Sequence, residues 1–333
     1  MNPALQGLIT IIVGVGGCVA YFYFSNQFLD KVLFPARGPH AGRNINRANA
    51  IRPWLFLFPA VFALGLYLAY PVFETLRLSL TDRSAGGAFV GLDNYAQMFG
   101  EDKFWEAVVN NLMWLLIVPA AATAFGLLAA QLTDRIKWGN IAKSLIFMPM
   151  AISFVGAAVI FKLIYDARPE DVAQIGVLNA VYLQLGGESP ITWLTVPFWN
   201  NFFLMIVLIW IQTGFAMVIL SAALRGIPEE TVEAAIVDGA NPFQIFFKIK
   251  IPQIAGTIVV VWTTITIVVL KVFDIVFAMT NGQWETQVLA NYMYDKLFRA
   301  NDWGVGSASA MIIMLMVTPI LVWNVYNARK EMR

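Results

Sequence analysis

Side chains able to do chemistry are sparse in this 333-residue chain, and their types point away from bond-making. His40 is the only histidine and Cys18 the only cysteine, so no thiolate or imidazole set exists to hold a metal, and no disulfide can form within the chain. The acids are scattered, without two carboxylates converging as hydrolytic acid–base work requires. The phosphate-cradling pattern G-x-x-x-x-G-K-[ST] is absent, so nucleotide hydrolysis is not expected of this chain. What remains is recognition. One stretch gathers carboxylates and lysines between two apolar runs: Glu233 to Gln253, EAAIVDGANPFQIFFKIKIPQ. Two smaller groups lie inside apolar runs, where polar side chains are costly and therefore candidates for function. Gln212 and Thr213 stand beside Phe215, a combination of hydrogen-bonding groups and an aromatic face that suits a sugar. Helix–helix hydrogen bonding is the competing reading. Lys271 and Asp274, three residues apart, are read first as a structural ion pair and second as a solute contact.

The elements that must position these groups follow from composition. The chain is 59% hydrophobic and 13% charged, against roughly 25% charged in soluble domains. Runs of about 20 apolar residues cross a bilayer core of about 30 Å. Seven such runs are present, near 4–24, 54–73, 108–131, 141–165, 197–224, 254–279 and 305–327. The expected fold is an all-α polytopic membrane bundle. The first run has no preceding positive charge and no cleavage pattern, and reads as an anchor. Lys31, Arg37, Arg43, Arg47, Arg52, Arg135, Lys137, Lys143, Arg225, Lys248, Lys250, Arg329, Lys330 and Arg333 fall on one side. Only Arg77, Arg83, Lys103, Arg168, Lys296 and Arg299 fall on the other. By the positive-inside rule the N-terminus is outside and the C-terminus cytoplasmic. Residues 1–52 then form a lone span plus a basic linker (Asn26 to Arg52), and 53–333 a six-span core with a cytoplasmic loop at 226–252. Pro53 is expected at the first turn of its span, with a break near Pro71. Lys162 is read as snorkelling. Asn110, Asn111, Asn200 and Asn201 are read as caps or headgroup contacts near the outer surface.

Within the 226–252 loop, Pro228-Glu229-Glu230 starts a helix, its glutamates opposing the positive end of the dipole. Gly239 ends it, Asn241-Pro242 starts another, and Pro252 is expected to close that one. One side is apolar (Val232, Ala235, Ile236, Phe243, Phe246, Phe247), and Ala234, Ala235, Gly239 and Ala240 form a small-residue face. On local physics alone, a connector lying on the membrane surface and a docking element are equally good readings.

This stretch resembles the EAA loop of ATP-binding-cassette importer permeases. The family pattern is EAA, three residues, Gly, nine residues, then I-x-L-P. Here it reads Glu233-Ala234-Ala235, Gly239, Ile249, Ile251, Pro252, with Ile251 in place of Leu. FVGLDNYAQMF, GVLNAVYLQLGG, KVFDIVFAMTNG and LANYMYDKLF are similar to segments of carbohydrate permeases of the maltose, α-glucoside and glycerol-phosphate kind, of the first-permease type. Thr280-Asn281-Gly282-Gln283-Trp284 departs from the T-N-G-G-P common there. The resemblance implies a multi-pass subunit of the bacterial inner membrane. Its partners would be membrane lipid, a second permease, two cytoplasmic ATPase subunits and an external solute-binding protein, with no nucleic acid. No cofactor is expected in this chain; ATP and Mg would sit on the ATPase. The resemblance assigns ATPase coupling to Glu233, Ala234, Ala235, Asp238, Gly239, Ala240, Ile249 and Pro252, and a substrate path to the helix carrying Gln212, Thr213 and Phe215; Lys271 and Asp274 join that path as candidates from their polarity within a span. Residues Gly186–Trp193 and 280–303 become candidates for contact with the binding protein. The expected solute is an α-glucoside or similar oligosaccharide. The alternatives are glycerol phosphate or another small solute, and, from another class, a self-sufficient secondary transporter.

Overall fold

The computed structural model describes residues 3–82, 86–134 and 136–331. Of the residues behind the charge asymmetry, Arg83, Arg135, Arg333 and the side chains of Arg329 and Lys330 fall outside that set. The helices, in chain order, are α1 (Pro3–Phe28), α2 (Ala41–Leu64), α3 (Tyr70–Ser79), α4 (Asp93–Phe99), α5 (Asp102–Thr133), α6 (Gly139–Phe147), α7 (Phe154–Ile164), α8 (Val177–Gln184) and α9 (Trp199–Arg225). They continue with α10 (Glu229–Val237), α11 (Pro242–Gln244), α12 (Ile251–Gln253), α13 (Ala255–Leu270), α14 (Asp274–Met279), α15 (Leu289–Tyr294) and α16 (Trp303–Glu331). A two-stranded ribbon, β1 (Thr81–Asp82) with β2 (Ala88–Phe89), is antiparallel with Thr81 opposite Phe89. Five helical stretches are long and apolar enough to cross a membrane, and seven if each of two bent pairs is one span. The chain forms two compact units, Met1–Glu74 and Thr75–Arg333.

In the first unit, the Arg52 guanidinium donates to both carboxylate oxygens of Asp30, at 2.6 and 2.9 Å. Tyr21 Oη donates to the Leu55 carbonyl at 2.9 Å, and the Phe22 and Phe56 rings stack 5.2 Å apart. The expected linker is shorter than 26–52, because Ala41 to Arg52 is helical and continuous with the span. Pro53 accordingly lies inside α2. Nor does Pro71 end the span, which runs on to Ser79. A wider helical turn over Gly65–Ala69 precedes it and absorbs the missing donor of the proline.

The second unit is built on α5 packed against α9, with α13 on α5 and α14 on α7. Trp114, Leu204, Leu208, Met217, Leu220, Val261, Ile265 and Val269 belong to its main core. Met98, Phe104, Leu289, Tyr292 and Val305 belong to a second, smaller one. Small residues set the helix spacing. A Cβ at Gly126 would fall on that of Ala216 and within 2.9 Å of the Met217 nitrogen. One at Gly214 would lie 2.6 Å from the Ile146 carbonyl oxygen.

Two expected straight spans are broken. In the fourth, α6 and the tight turn at Met148–Ala151 meet α7 at 104°. Ser153 caps the new helix, its Oγ accepting from Gly156 N at 3.0 Å. The sixth stops at Leu270 and resumes at Asp274, so Lys271 and Asp274 do not share a continuous helical face.

The glycine contacts yield a stability prediction. Gly126→Ala overpacks the α5–α9 contact and should destabilise the protein by about 1 to 3 kcal/mol, read as a lower unfolding temperature in detergent. Gly7→Ala, whose Cβ would meet nothing within 4 Å, serves as the control. Equal unfolding temperatures for the two variants would refute the close-approach reading.

Candidate functional site

The loop after α9 folds as its punctuation requires. Glu229 and Glu230 occupy the first turn of α10. At its end Gly239 adopts φ +79°, and the Gly239 and Ala240 amides close back on the Ile236 and Ala235 carbonyls at 3.0 and 2.9 Å. Only a residue tolerating the left-handed region makes that turn without strain. Asn241 and Gln244 then form a reciprocal capping box: Gln244 N donates to Asn241 Oδ1 at 2.9 Å and Asn241 N to Gln244 Oε1 at 2.8 Å. Helix continues through a wider turn at Ile245–Lys250 to Gln253, and the chain bends by 71° into α13. Pro252 therefore lies inside the short helix, and the turn falls at Ile254 instead.

The expected apolar side is divided. Ala235 and Ile245 face inward at 8% and 6% exposure. Ile236, Val237, Phe243 and Phe247 point away from the chain, Val237 being 86% exposed and Phe243 77%. These four flank Gly239, beside exposed Glu233, Ala234, Asp238 and Pro252 and half-buried Ala240 and Ile249. Large exposed apolar side chains on a sharply structured loop are the kind of surface that interaction sites use. Behind it lies a cavity of about 530 Å³, lined by Gln131, Asp134, Leu224, Arg225, Ile227, Glu229, Val232, Glu233 and Lys250.

One residue in that lining escapes inspection of the sequence. Asp134, at the end of α5, accepts from Arg225 Nε and Nη2 at 3.0 and 2.9 Å, from Ser221 Oγ at 3.1 Å, and from Lys143 Nζ. Burial opposes its charge, but the hydrogen bonds and positive charges of Lys143 and Arg225 outweigh that and hold its carboxyl below the usual carboxylate range. The only available signal is an acid standing alone where an apolar run meets Arg135 and Lys137.

In the middle of the bundle, Lys271 and Asp274 line one cavity of about 180 Å³ with Phe154, Leu208, Val268, Val272, Phe273 and Ile275. Among the described residues no ion pair joins them, because the helix break separates their backbones. Gln212, Thr213 and Phe215 lie outside that lining. Gln212 is buried on α9, one turn beyond Leu208; Thr213 Oγ1 bonds back to the Ile209 carbonyl at 2.7 Å; Phe215 packs on the main core. Lys162 Nζ donates to the Ala278 carbonyl at 3.4 Å instead of extending freely.

At the opposite end the four asparagines grip a loop. Asn110 Nδ2 donates to the Glu285 and Gln287 carbonyls at 2.9 and 2.8 Å. Asn200 reaches the Trp284 carbonyl at 2.5 Å and Asn201 that of Glu285 at 3.1 Å. Asn111 Oδ1 accepts from Leu289 N at 2.7 Å. Caps and headgroup contacts were expected of them; buried donors facing irregular backbone explain the difference. Asn281, Gly282, Trp284 and Glu285 all have positive φ, and Gln283, Trp284 and Glu285 stand exposed at the tip. Asn179, fully buried, similarly holds the loop leading to Trp193 through the Asp166 and Ile191 carbonyls, both at 2.9 Å. Burial and the hydrogen bond to Glu101, 2.8 Å long, push the Tyr292 phenol well above its ordinary range. Among the described residues no group of His, Cys, Asp and Glu could hold a metal ion.

Comparison with known proteins accords with this anatomy. Residues 122–331 match the family model described as binding-protein-dependent transport system inner membrane component. The chain is 62% identical to the alpha-glucoside transport system permease protein AglF of Rhizobium meliloti (strain 1021), covering 99% of each chain. It is 46% identical to the osmoprotective compounds uptake permease protein GgtC of a Synechocystis strain, over 84% of this chain and 100% of that one. In fold it is similar to a chain of a bacterial ABC transporter involved in the import of the acidic polysaccharide alginate, with TM-score 0.73, 21% identity, and 86% of this chain and 98% of that chain covered. A helical bundle with five to seven candidate spans, carrying the punctuated loop at 226–252, thus belongs to the family of binding-protein-dependent transport system inner membrane components.

Proposed function

We propose that this chain is the permease subunit of an ATP-driven importer that takes up an α-glucoside or similar oligosaccharide across the bacterial inner membrane. Its partners are a second permease, two cytoplasmic ATPase subunits that carry ATP and Mg, and an external solute-binding protein. The observation that carries the reading is the 226–252 loop, where exposed Ile236, Val237, Phe243 and Phe247 lie on either side of the left-handed Gly239 along the chain. That surface is preorganised for a groove on another protein, with Glu233 as polar anchor. The orientation follows the lysine and arginine asymmetry, with the loop and the C-terminus in the cytoplasm and the N-terminus outside. Residues 1–52 form an accessory anchor segment and 53–333 the transport domain. ATP closes the ATPase pair, draws the coupling loops together and biases the bundle between two states. The loops at Gly186–Trp193 and 280–303 face the binding protein.

The solute class rests on the 62% relative, whose name specifies alpha-glucosides. Lys271, Asp274, Gln212, Thr213 and Phe215 form the solute path on this side of the transporter. The break after Leu270 supports that role, since non-helical backbone at membrane depth is tolerated where it is enclosed by protein or lines an aqueous cavity. Asp274 in the same wall offsets the charge of Lys271, which favours a neutral solute over glycerol phosphate. The relative named for osmoprotective compounds keeps another small solute as the second reading.

Two experiments test this. Tagged protein purified gently from its host should bring down a second permease and an ATPase. Gly239→Asp, which strains the turn and places a carboxylate on the docking face, should lose the ATPase and keep the permease. A wild-type chain that purifies alone and transports in liposomes without ATP would establish a secondary transporter instead. Lys271→Met should raise the uptake KM for an α-glucoside about tenfold, equivalent to about 1.4 kcal/mol. An unchanged KM removes Lys271 from the path.

A further inference from the structure

We propose that Asp134 is a positioning residue for coupling: it joins the loop ends of α5, α6 and α9 into one body against which the α10 helix bears. The inference rests on the importer reading above and extends it to residues outside the 226–252 loop.

Three independent helices meet at this carboxylate. Asp134 ends α5, Lys143 lies in α6, and Ser221 and Arg225 occupy the last turn of α9. Lys143 also donates to Ser221 Oγ at 2.5 Å, so the contacts form a closed network rather than a single pair. The Lys143 and Asp134 side chains are 14% and 20% exposed, and Arg225 is 59% exposed. Two cations share one carboxylate. Remove its charge and Lys143 and Arg225 face each other without a counter-ion, so the helix ends separate.

The position of the network gives it a mechanical consequence. Only Gly226, Ile227 and Pro228 separate Arg225 from the first residue of α10. A displacement of α10 therefore enters α9 at the residue Asp134 holds, and the network hands it on to α5 and α6. Those helices lead to two close approaches within the bundle, Gly126 on Ala216 and Gly214 on Ile146. The cavity of about 530 Å³ lies between α10 and this network, leaving room for relative movement. Its two walls are also complementary in charge. Glu229 and Glu233 have no hydrogen-bond or ion-pair partner among the described residues, and the network opposite them carries a surplus positive charge. Movement of α10 toward the network is thus favoured electrostatically, and a rigid network converts it into movement of three helices.

The test uses the complete transporter with its binding protein in liposomes, reading ATP hydrolysis and solute uptake in one sample. Asp134→Asn should leave hydrolysis and the solute KM near wild type while lowering solute moved per ATP about tenfold. Asp134→Glu should restore at least half of the ratio, a rescue that a purely packing role would not show. If Asp134→Asn does not assemble, Lys143→Gln, which keeps Arg225 on the carboxylate, is read in the same assay and should lower the ratio by a smaller factor. A wild-type ratio in whichever of these variants assembles overturns the proposal. Wild-type uptake without ATP overturns the importer reading and this proposal with it, whereas a coupled wild type beside an equally coupled Asp134→Asn overturns this proposal alone.

Discussion

Every departure from helix in a bilayer leaves backbone donors and acceptors that lipid cannot satisfy, and this structure is organised around that constraint. Where a span breaks, a side chain or a cavity stands at the break. Ser153 caps the helix restarting after the 104° bend. Lys162 reaches the Ala278 carbonyl at the end of α14. Four asparagines on α5 and α9 meet the backbone of residues 284–289, where Trp284 and Glu285, neither of them glycine, have positive φ. Among the described residues no side-chain clasp stands at the break after Leu270, which borders the cavity lined by Lys271 and Asp274. That contrast separates backbone held by side-chain donors from backbone that borders a cavity.

The same logic divides the two ends of the bundle. At the clasped end, rigidity comes from neutral amide donors aimed at carbonyls, which hold a strained tip in one conformation. At the loop end the connections are ionic and converge on Asp134. Neutral clasps are directional and suit a fixed surface. Charged contacts act over longer range, and here one carboxylate ties three helix ends together. The loop itself stands between the two, with a defined turn at Gly239 and charged side chains lining the cavity behind it.

Much of this was legible in the residues alone. Apolar runs of bilayer length located the long helices, because a hydrogen-bonded helix is the simplest way to hide a backbone in lipid. The glutamates, Gly239 and Asn241-Pro242 marked the loop, because caps and left-handed turns are local events specified by the residues that make them. Pro71 and Pro252 misled in opposite ways. Each lies within helix, since a preceding wide turn takes up the missing donor at Pro71, and Pro252 is the second residue of a short helix, within its first turn.

What only the tertiary structure decided is which distant residues meet. The asparagines looked like caps because their partners lie 84 to 178 residues away along the chain. Asp134 looked like a stray acid among basic residues, yet its partners Ser221 and Arg225 come from a helix nearly ninety residues later. Lys271 and Asp274 looked paired because a continuous helix would have aligned them, but the helix breaks between them, α13 packing chiefly on α5 and α14 chiefly on α7. Local chemistry determined helices, caps and turns from short stretches of sequence. Networks and breaks depend on long-range packing, where no nearby residue carries the information.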